Sequence, residues 1–355
     1  MEARLIVSTS PHVRTDQDVQ TIMFQVVVAL MPALVGAIFF FGVRALWLTL
    51  ISVATAVATE ALVQWLRRKP ITIADGSAVV TGILLAFNLP GKTPLWLPVV
   101  GSFFAIAIVK QLFGGLGYNV INPALAGRAL LMASWPVHMT ADWAAPSRGV
   151  MSGIAQDLGL DAVTTATPLN LFKMSKQVLS DPNALAGQVE EARVALAALG
   201  SRGTLVNLFW GNVGGCIGET SAVLLLLGAL WLFYKRIIEW RIPVSYVGTV
   251  LVLAWVAGGT EGLFSGNVLF HAMSGGLLLG AIFMATDMVT SPVTPNGRII
   301  FGVGCGVLTM LIRLVGGYPE GVSYSILLMN AATPLLDRWT RPKKLGERTL
   351  MKASQ

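Results

Sequence analysis

Apolar side chains gather into long blocks at residues 21–41, 45–66 and 95–113, and again at 221–234, 244–256, 270–285, 299–315 and 322–336. A bilayer core takes about 20 helical residues to cross, so each block reads as a membrane span. Two further segments, 76–89 and 120–135, are shorter and broken, the first ending in Asn88-Leu89-Pro90 and the second opening on Asn122-Pro123. Irregular backbone at membrane depth leaves carbonyls that lipid cannot satisfy, so such segments line a cavity or a pore. Ten crossings are therefore expected.

Composition agrees with the pattern. Apolar residues make up 54% of the chain and charged residues 12%, whereas a soluble domain carries about 25% charged residues. The net charge of +7 sits in clusters between apolar blocks, at Arg67-Arg68-Lys69, Lys235-Arg236, Arg241, Arg298 and from Arg338 to Lys352. That arrangement orients a membrane protein and excludes a nucleic-acid footprint. With ten alternating spans these clusters share the cytoplasmic side, both termini are cytoplasmic, and the opposite short loops hold only Arg44 and Lys92. No apolar stretch with a cleavage site occupies the first twenty residues, so no signal peptide is expected.

The expected organisation is a cytoplasmic segment 1–20, a first membrane half 21–135, an extracytoplasmic insert 136–204, a second membrane half 205–338 and a basic cytoplasmic tail 339–355. The stretch from Tyr118 to Leu125 loosely resembles Tyr324 to Leu335, with Asn122 and Pro123 answered by Asn330 and Pro334. Five spans per half would invert the second half relative to the first and put a binding site between them. A helix from 183 to 199, amphipathic in pattern, is expected in the insert.

Ionisable groups within or beside the spans are Glu60, Asp75, Lys110, Arg128, Glu219, Asp287 and Arg313. Each costs about 2.5–3.5 kcal/mol at the centre of a membrane helix, which favours a cavity-facing role or a charged partner. Glu60 is the deepest and has no basic residue three or four positions away, so its partner must come from another helix. Glu60, Glu219 and Asp287 are the candidates for an ion path. Against that reading, Asp75 and Asp287 are also placed to cap helices, and Glu219 to cap a helix starting at Thr220. Cys216 and Cys305 form no metal-spaced set, and His12, His138 and His271 are scattered, so no metal site is expected.

The insert carries Asp161-Ala162-Val163-Thr164-Thr165-Ala166-Thr167-Pro168-Leu169. One reading makes the hydroxyls caps for a helix that starts at Pro168. The other is a flavin attachment site. Ser10-Pro11-His12, Asp75 to Gly82, Asn119 to Leu125, Gly218-Glu219-Thr220-Ser221 and Ala285-Thr286-Asp287 together resemble the D subunits of Rnf complexes over nearly the whole chain. Their paralogue, the B subunit of sodium-pumping NADH:quinone oxidoreductases, shares the core but has a longer amino-terminal region.

The resemblance implies an all-α integral membrane protein with about ten transmembrane helices in two inverted five-helix halves, a core also similar to urea channels. It implies a bacterial inner-membrane subunit of a complex in which electron flow between ferredoxin and NAD drives sodium ions or protons across the membrane. The expected partners are the A, B, C, E and G subunits of Rnf complexes, a flavin transferase and membrane lipid, with ferredoxin and NAD docking on other subunits. FMN would be joined by a phosphoester to Thr167, with Asp161 and Thr164 matching the transferase motif and Thr165 standing where glycine is usual. Lys173 or Arg128 would partner the phosphate. A second, non-covalent flavin such as riboflavin is expected near Asn119 and Asn122, with Asp287 from the other half. The rival from another class is a channel or secondary transporter of the same architecture, and a third reading is a passive scaffold.

Overall fold

The computed structural model describes residues 18–140, 143, 167–219, 221–259, 262–318 and 320–342. Among them the chain is helical, and the one β-type pairing is an isolated bridge between Pro90 and Cys216. The protein is an all-α integral membrane protein. Three helices, Val19–Phe41, Val43–Leu66 and Pro295–Leu314, are long and apolar enough to cross a bilayer, and the remaining apolar blocks form shorter pieces.

The two halves repeat one packing scheme. In the first, Val43–Leu66 packs on Ser77–Phe87 and on Trp96–Phe103 with its continuation Phe104–Gln111, and Trp96–Phe103 packs on Pro123–Ser134. In the second, Arg241–Ala257 packs on Val268–Met273 and Pro295–Leu314, which packs on Val322–Trp339. The leading helices, Val19–Phe41 and Ala222–Tyr234, pack on each other across the halves, and so do the closing helices, Pro123–Ser134 and Val322–Trp339. The main apolar core is continuous across that junction, with Leu30, Leu85 and Phe87 on one side and Leu225, Phe283 and Phe301 on the other.

The two motifs paired by the weak repeat meet where the closing helices pack. With the Asn330 amide oriented so that its nitrogen donates to the Ile326 carbonyl at 3.3 Å, its oxygen accepts from the Asn122 N–H at 3.1 Å. The Asn122 carboxamide oxygen caps Pro123–Ser134 by accepting from the Ala124 and Leu125 N–H groups, as an N-cap asparagine before proline is suited to do.

Several expectations are corrected in detail. The block 270–285 is not one span: it divides into Val268–Met273, Leu277–Leu279 and a π-helical Gly280–Met284, because Ser274-Gly275-Gly276 interrupts it. The helix after residue 220 starts at Ala222, and its cap is Ser221, whose hydroxyl accepts from the Leu224 N–H at 3.5 Å. Glu219 does not cap it, because its carboxylate turns into a cavity instead. The helix expected from 183 begins at Ala186, since Asp181 holds a turn by accepting from the Asn183 N–H at 2.9 Å. Its buried Ala192, Ala195 and Leu199 follow helical spacing. The boundary drawn between 204 and 205 falls inside the helix Arg202–Trp210.

Candidate functional site

Two cavities collect the polar groups that the sequence singles out. The first lies between the halves and has a cavity volume of about 110 Å³. Asn119, Asn122 and Asp287 all line it, together with Ser77, Thr81 and Lys110, and apolar residues such as Leu84, Ile282 and Phe283 form much of the wall. Asn122 Nδ2 donates to the Met284 carbonyl at 3.2 Å, tying the first-half cap to the π-helical segment of the second half. Asp287 accepts from the Val289 N–H at 3.3 Å and from the Thr290 hydroxyl at 3.2 Å, so it holds a turn while facing the cavity.

Glu60 borders this cavity through its partner. Lys110 Nζ lies 2.8 Å from Glu60 Oε1 and also donates to the Ser77 hydroxyl at 2.6 Å. Gln111 Nε2 donates to Glu60 Oε1 at 2.7 Å. Ser77 in turn donates from its N–H and its hydroxyl to Asp75 Oδ1, at 2.8 and 2.6 Å. Lys110 and Gln111 end the π-helical stretch Phe104–Gln111, a distortion that recurs at functional positions because it rotates the following side chains out of α-helical register.

The second cavity, of about 20 Å³, lies under the insert and is lined by Thr167, Gly214, Gly215, Glu219, Gly275 and Glu320 among others. Here the broken segments of the two halves cross: the N–H groups of Ile217 and Gly218 donate to the carbonyls of Leu89 and Phe87, at 3.0 and 3.1 Å. Gly218 is required at this crossing, since a Cβ on it would stand 2.2 Å from Phe87 Cβ. Arg128 reaches in from Pro123–Ser134, donating to Asn88 Oδ1 at 2.7 Å and to Glu320, with Glu219 Oε1 3.9 Å away.

Thr167 is buried and is the N-cap of Pro168–Ser180, its hydroxyl accepting from the Asn170 N–H at 3.2 Å. The same residue therefore caps the helix and lines the cavity. Asp161 and Thr164 lie outside the described residues. Lys173, on the same helix, donates to the Gly316 carbonyl, and partial burial lowers its pKa from the ordinary lysine value. Arg128 shares Glu219 and Glu320 with the wall that carries Thr167, whereas Lys173 is bonded elsewhere.

The fold also assembles groups that sequence reasoning misses. Glu320 escapes it, although a carboxylate in the Gly/Pro-rich break Gly316 to Gly321 between two apolar blocks is a visible signal. Lys110 is recognisable as an ionisable group in a span, but nothing local joins it to Glu60, since 50 positions separate them. Cys216 has no metal spacing in sequence, yet its sulfur and the carboxylates of Glu219 and Glu320 lie within 4.8 Å of one another. The Arg128 guanidinium is bonded to Glu320 and lies 3.9 Å from both Cys216 Sγ and Glu219 Oε1.

The fold defines a two-half membrane protein with broken helices at the junction, an architecture that recurs in membrane transport. Residues 6–346 match the sequence model of the NQR2, RnfD, RnfE family, and the chain belongs to that family. It is 50% identical over 343 residues, 96% of each chain, to the D subunit of the proton-translocating ferredoxin:NAD(+) oxidoreductase complex of Clostridium ljungdahlii. It is also 50% identical over 356 residues, 100% of this chain and 99% of the relative, to the D subunit of the Na(+)-translocating ferredoxin:NAD(+) oxidoreductase complex of Acetobacterium woodii. The D subunit of the ion-translocating oxidoreductase complex of Stutzerimonas stutzeri is 42% identical over 340 residues, 92% of each chain.

Proposed function

We propose that this chain is a flavin-bearing subunit of a membrane complex that passes electrons between ferredoxin and NAD and couples them to sodium or proton translocation. The names of its relatives support the complex and the reaction. The observation that supports a covalent flavin is the setting of Thr167. Its hydroxyl stands at the N-terminus of the 13-residue helix Pro168–Ser180, and the residue lines a cavity. A helix N-terminus favours a phosphate through its free N–H groups and dipole, so the residues present fit a phosphoester there.

When bound, FMN supplies the one- and two-electron chemistry, and the protein sets its position and potential. Thr167 anchors. Arg128, shared between Glu320 and Glu219, adds positive charge near the anchor, and Lys173 is the alternative partner once its bond to Gly316 is exchanged. Asn119, Asn122 and Asp287 would hold a second, non-covalent flavin in the larger cavity, whose amide groups suit an isoalloxazine edge with both donors and acceptors. Glu60, Glu219 and Asp287 are the ion-path residues in this reading. The complex would supply its partner subunits, and a flavin transferase would mature Thr167 from the extracytoplasmic side of the inner membrane.

The two-half architecture also suits a channel or secondary transporter without redox function. Fluorescence of the denatured chain in a gel separates the two, followed by mass spectrometry of the peptide that contains Thr167. FMN mass on Thr167 is the expected result; FMN on Thr164 or Thr165 would move the anchor, and a chain without covalent flavin would favour the channel.

A further inference from the structure

The crossing of the broken segments holds a buried carboxylate that no N–H or O–H group among the described residues satisfies. Glu219 is 5% exposed, and among the described residues no N–H or O–H group donates to either carboxylate oxygen, the Cys216 thiol being its one weak donor neighbour. It points into the cavity beneath Thr167, against a backbone that has no room for a side chain: a Cβ on Gly276 would lie 2.5 Å from Glu219 Oε2. Removing an ionised carboxylate from water without donors is costly, so such a group is neutralised or coordinated.

The charged and titratable groups that face Glu219 are Arg128, Glu320, Cys216 and Arg313. Neither arginine is free to serve it. Arg128 is bonded to Asn88 and Glu320 and approaches Glu219 only to 3.9 Å. Arg313 donates to the carbonyls of His271 and Ser274, at 2.8 and 3.0 Å. The cavity that Glu219 lines, of about 20 Å³, has room for one water-sized species. Its place, at the junction where interrupted segments of both halves meet, is where two-half membrane proteins bind their ions.

We propose that Glu219, with Glu320 opposite and Arg128 between them, is an exchange site for one small monovalent cation, a proton or Na+. In this site Arg128 fixes Glu320 as a permanent counter-charge and leaves Glu219 to alternate between a cation-bound, neutral state and an ionised state. Neutralising Glu219 leaves the arginines in excess over Glu320, so cation uptake favours negative charge on whatever is anchored at Thr167. The choice of ion and the link to a flavin rest on the function proposed above; the burial and pairing of Glu219 stand on the geometry of this chain.

The test is hydrogen–deuterium exchange of the purified complex, read on the amides of Ile217 and Gly218, whose bonds to Leu89 and Phe87 open when the crossing opens. One arm varies Na+ against choline at fixed pH and ionic strength, and the other varies pH at fixed Na+, with rates corrected for the intrinsic pH dependence of exchange. A cation at ten times its dissociation constant is expected to slow exchange about tenfold. The Na+ arm responds if the ion is Na+, the pH arm if it is a proton. Glu219→Gln is expected to lose the response and to exchange like the cation-saturated parent, and Glu219→Asp to keep a weakened response. A parent that responds in neither arm, or a Glu219→Gln variant that responds as the parent does, would overturn the site. Gel fluorescence of the denatured chain from the same preparations reports the flavin separately.

Discussion

Lys110 donates to Ser77 on the helix Ser77–Phe87 while its ammonium is paired with Glu60 on Val43–Leu66, so one side chain ties three first-half elements beneath the cavity. Both charges are buried, at 2% and 1% side-chain exposure. Removing one partner of such a pair typically costs about 3–5 kcal/mol, because the other charge stays behind unpaired. Lys110→Met alone should therefore destabilise the purified protein strongly, and Glu60→Gln should do so as well. The double variant is expected to recover much of the loss. Thermal unfolding of the four proteins in a double-mutant cycle checks this, and additive losses would show that the pair is not energetically coupled.

The same pair bears on ion movement. Glu60→Gln keeps the shape and the bond from Gln111 but removes the charge that holds Lys110. If Glu60 serves the ion path, ions accumulated in sealed vesicles per electron transferred fall while flavin content is unchanged. An unaltered ratio would confine Glu60 and Lys110 to structure and leave the path to Glu219 and Asp287. Running the assay in Na+ and in Na+-free buffer also separates the two ions for which the relatives at 50% identity are named.

At Thr167, capping and attachment can be separated by choice of substitution. Thr167→Ala removes both, with a loss of about 0.5–2 kcal/mol from the cap. Thr167→Asn keeps an acceptor for the Asn170 N–H but offers no hydroxyl. Both variants are expected to lack gel fluorescence, and only the alanine variant should weaken the helix Pro168–Ser180. Proteolysis within that helix measures the difference. Fluorescence retained by Thr167→Asn would place the anchor elsewhere.

Much of the architecture was legible because a membrane chain records its solvent directly. The apolar blocks fall on helices, the two breaks at Asn88-Leu89-Pro90 and Asn122-Pro123 fall at the junction of the halves, and Asn119, Asn122 and Asp287 come together in one cavity. Local rules were enough for these. What stayed hidden depends on contacts between distant segments. Glu60 showed that a partner must come from another helix, but only packing selects Lys110. Glu219 beside Thr220 and Ser221 matched a capping pattern, and the fold gives the cap to Ser221 and the cavity to Glu219. Glu320 joins the site only because the chain reaches Arg128 across 192 positions. The run 270–285 was too apolar to reveal its break, which two adjacent glycines at 275 and 276 mark in hindsight.

Sidedness gives the last prediction, because charge clusters orient short loops far better than they orient a long insert. Ser180 is exposed at the end of Pro168–Ser180, and Lys69 is exposed just after Val43–Leu66. The two native cysteines, Cys216 and Cys305, are buried, so a single introduced cysteine should dominate labelling. In intact cells with a permeable outer layer, Ser180→Cys is expected to react with a membrane-impermeant thiol reagent. Lys69→Cys should react only after the inner membrane is opened. Labelling of both positions in intact cells, or of both only after the membrane is opened, would break the alternation of spans between them, and the second of these outcomes would return the insert to the cytoplasm. The opposite result, Lys69→Cys outside and Ser180→Cys inside, would invert the whole chain and place Thr167 where an extracytoplasmic transferase cannot reach it.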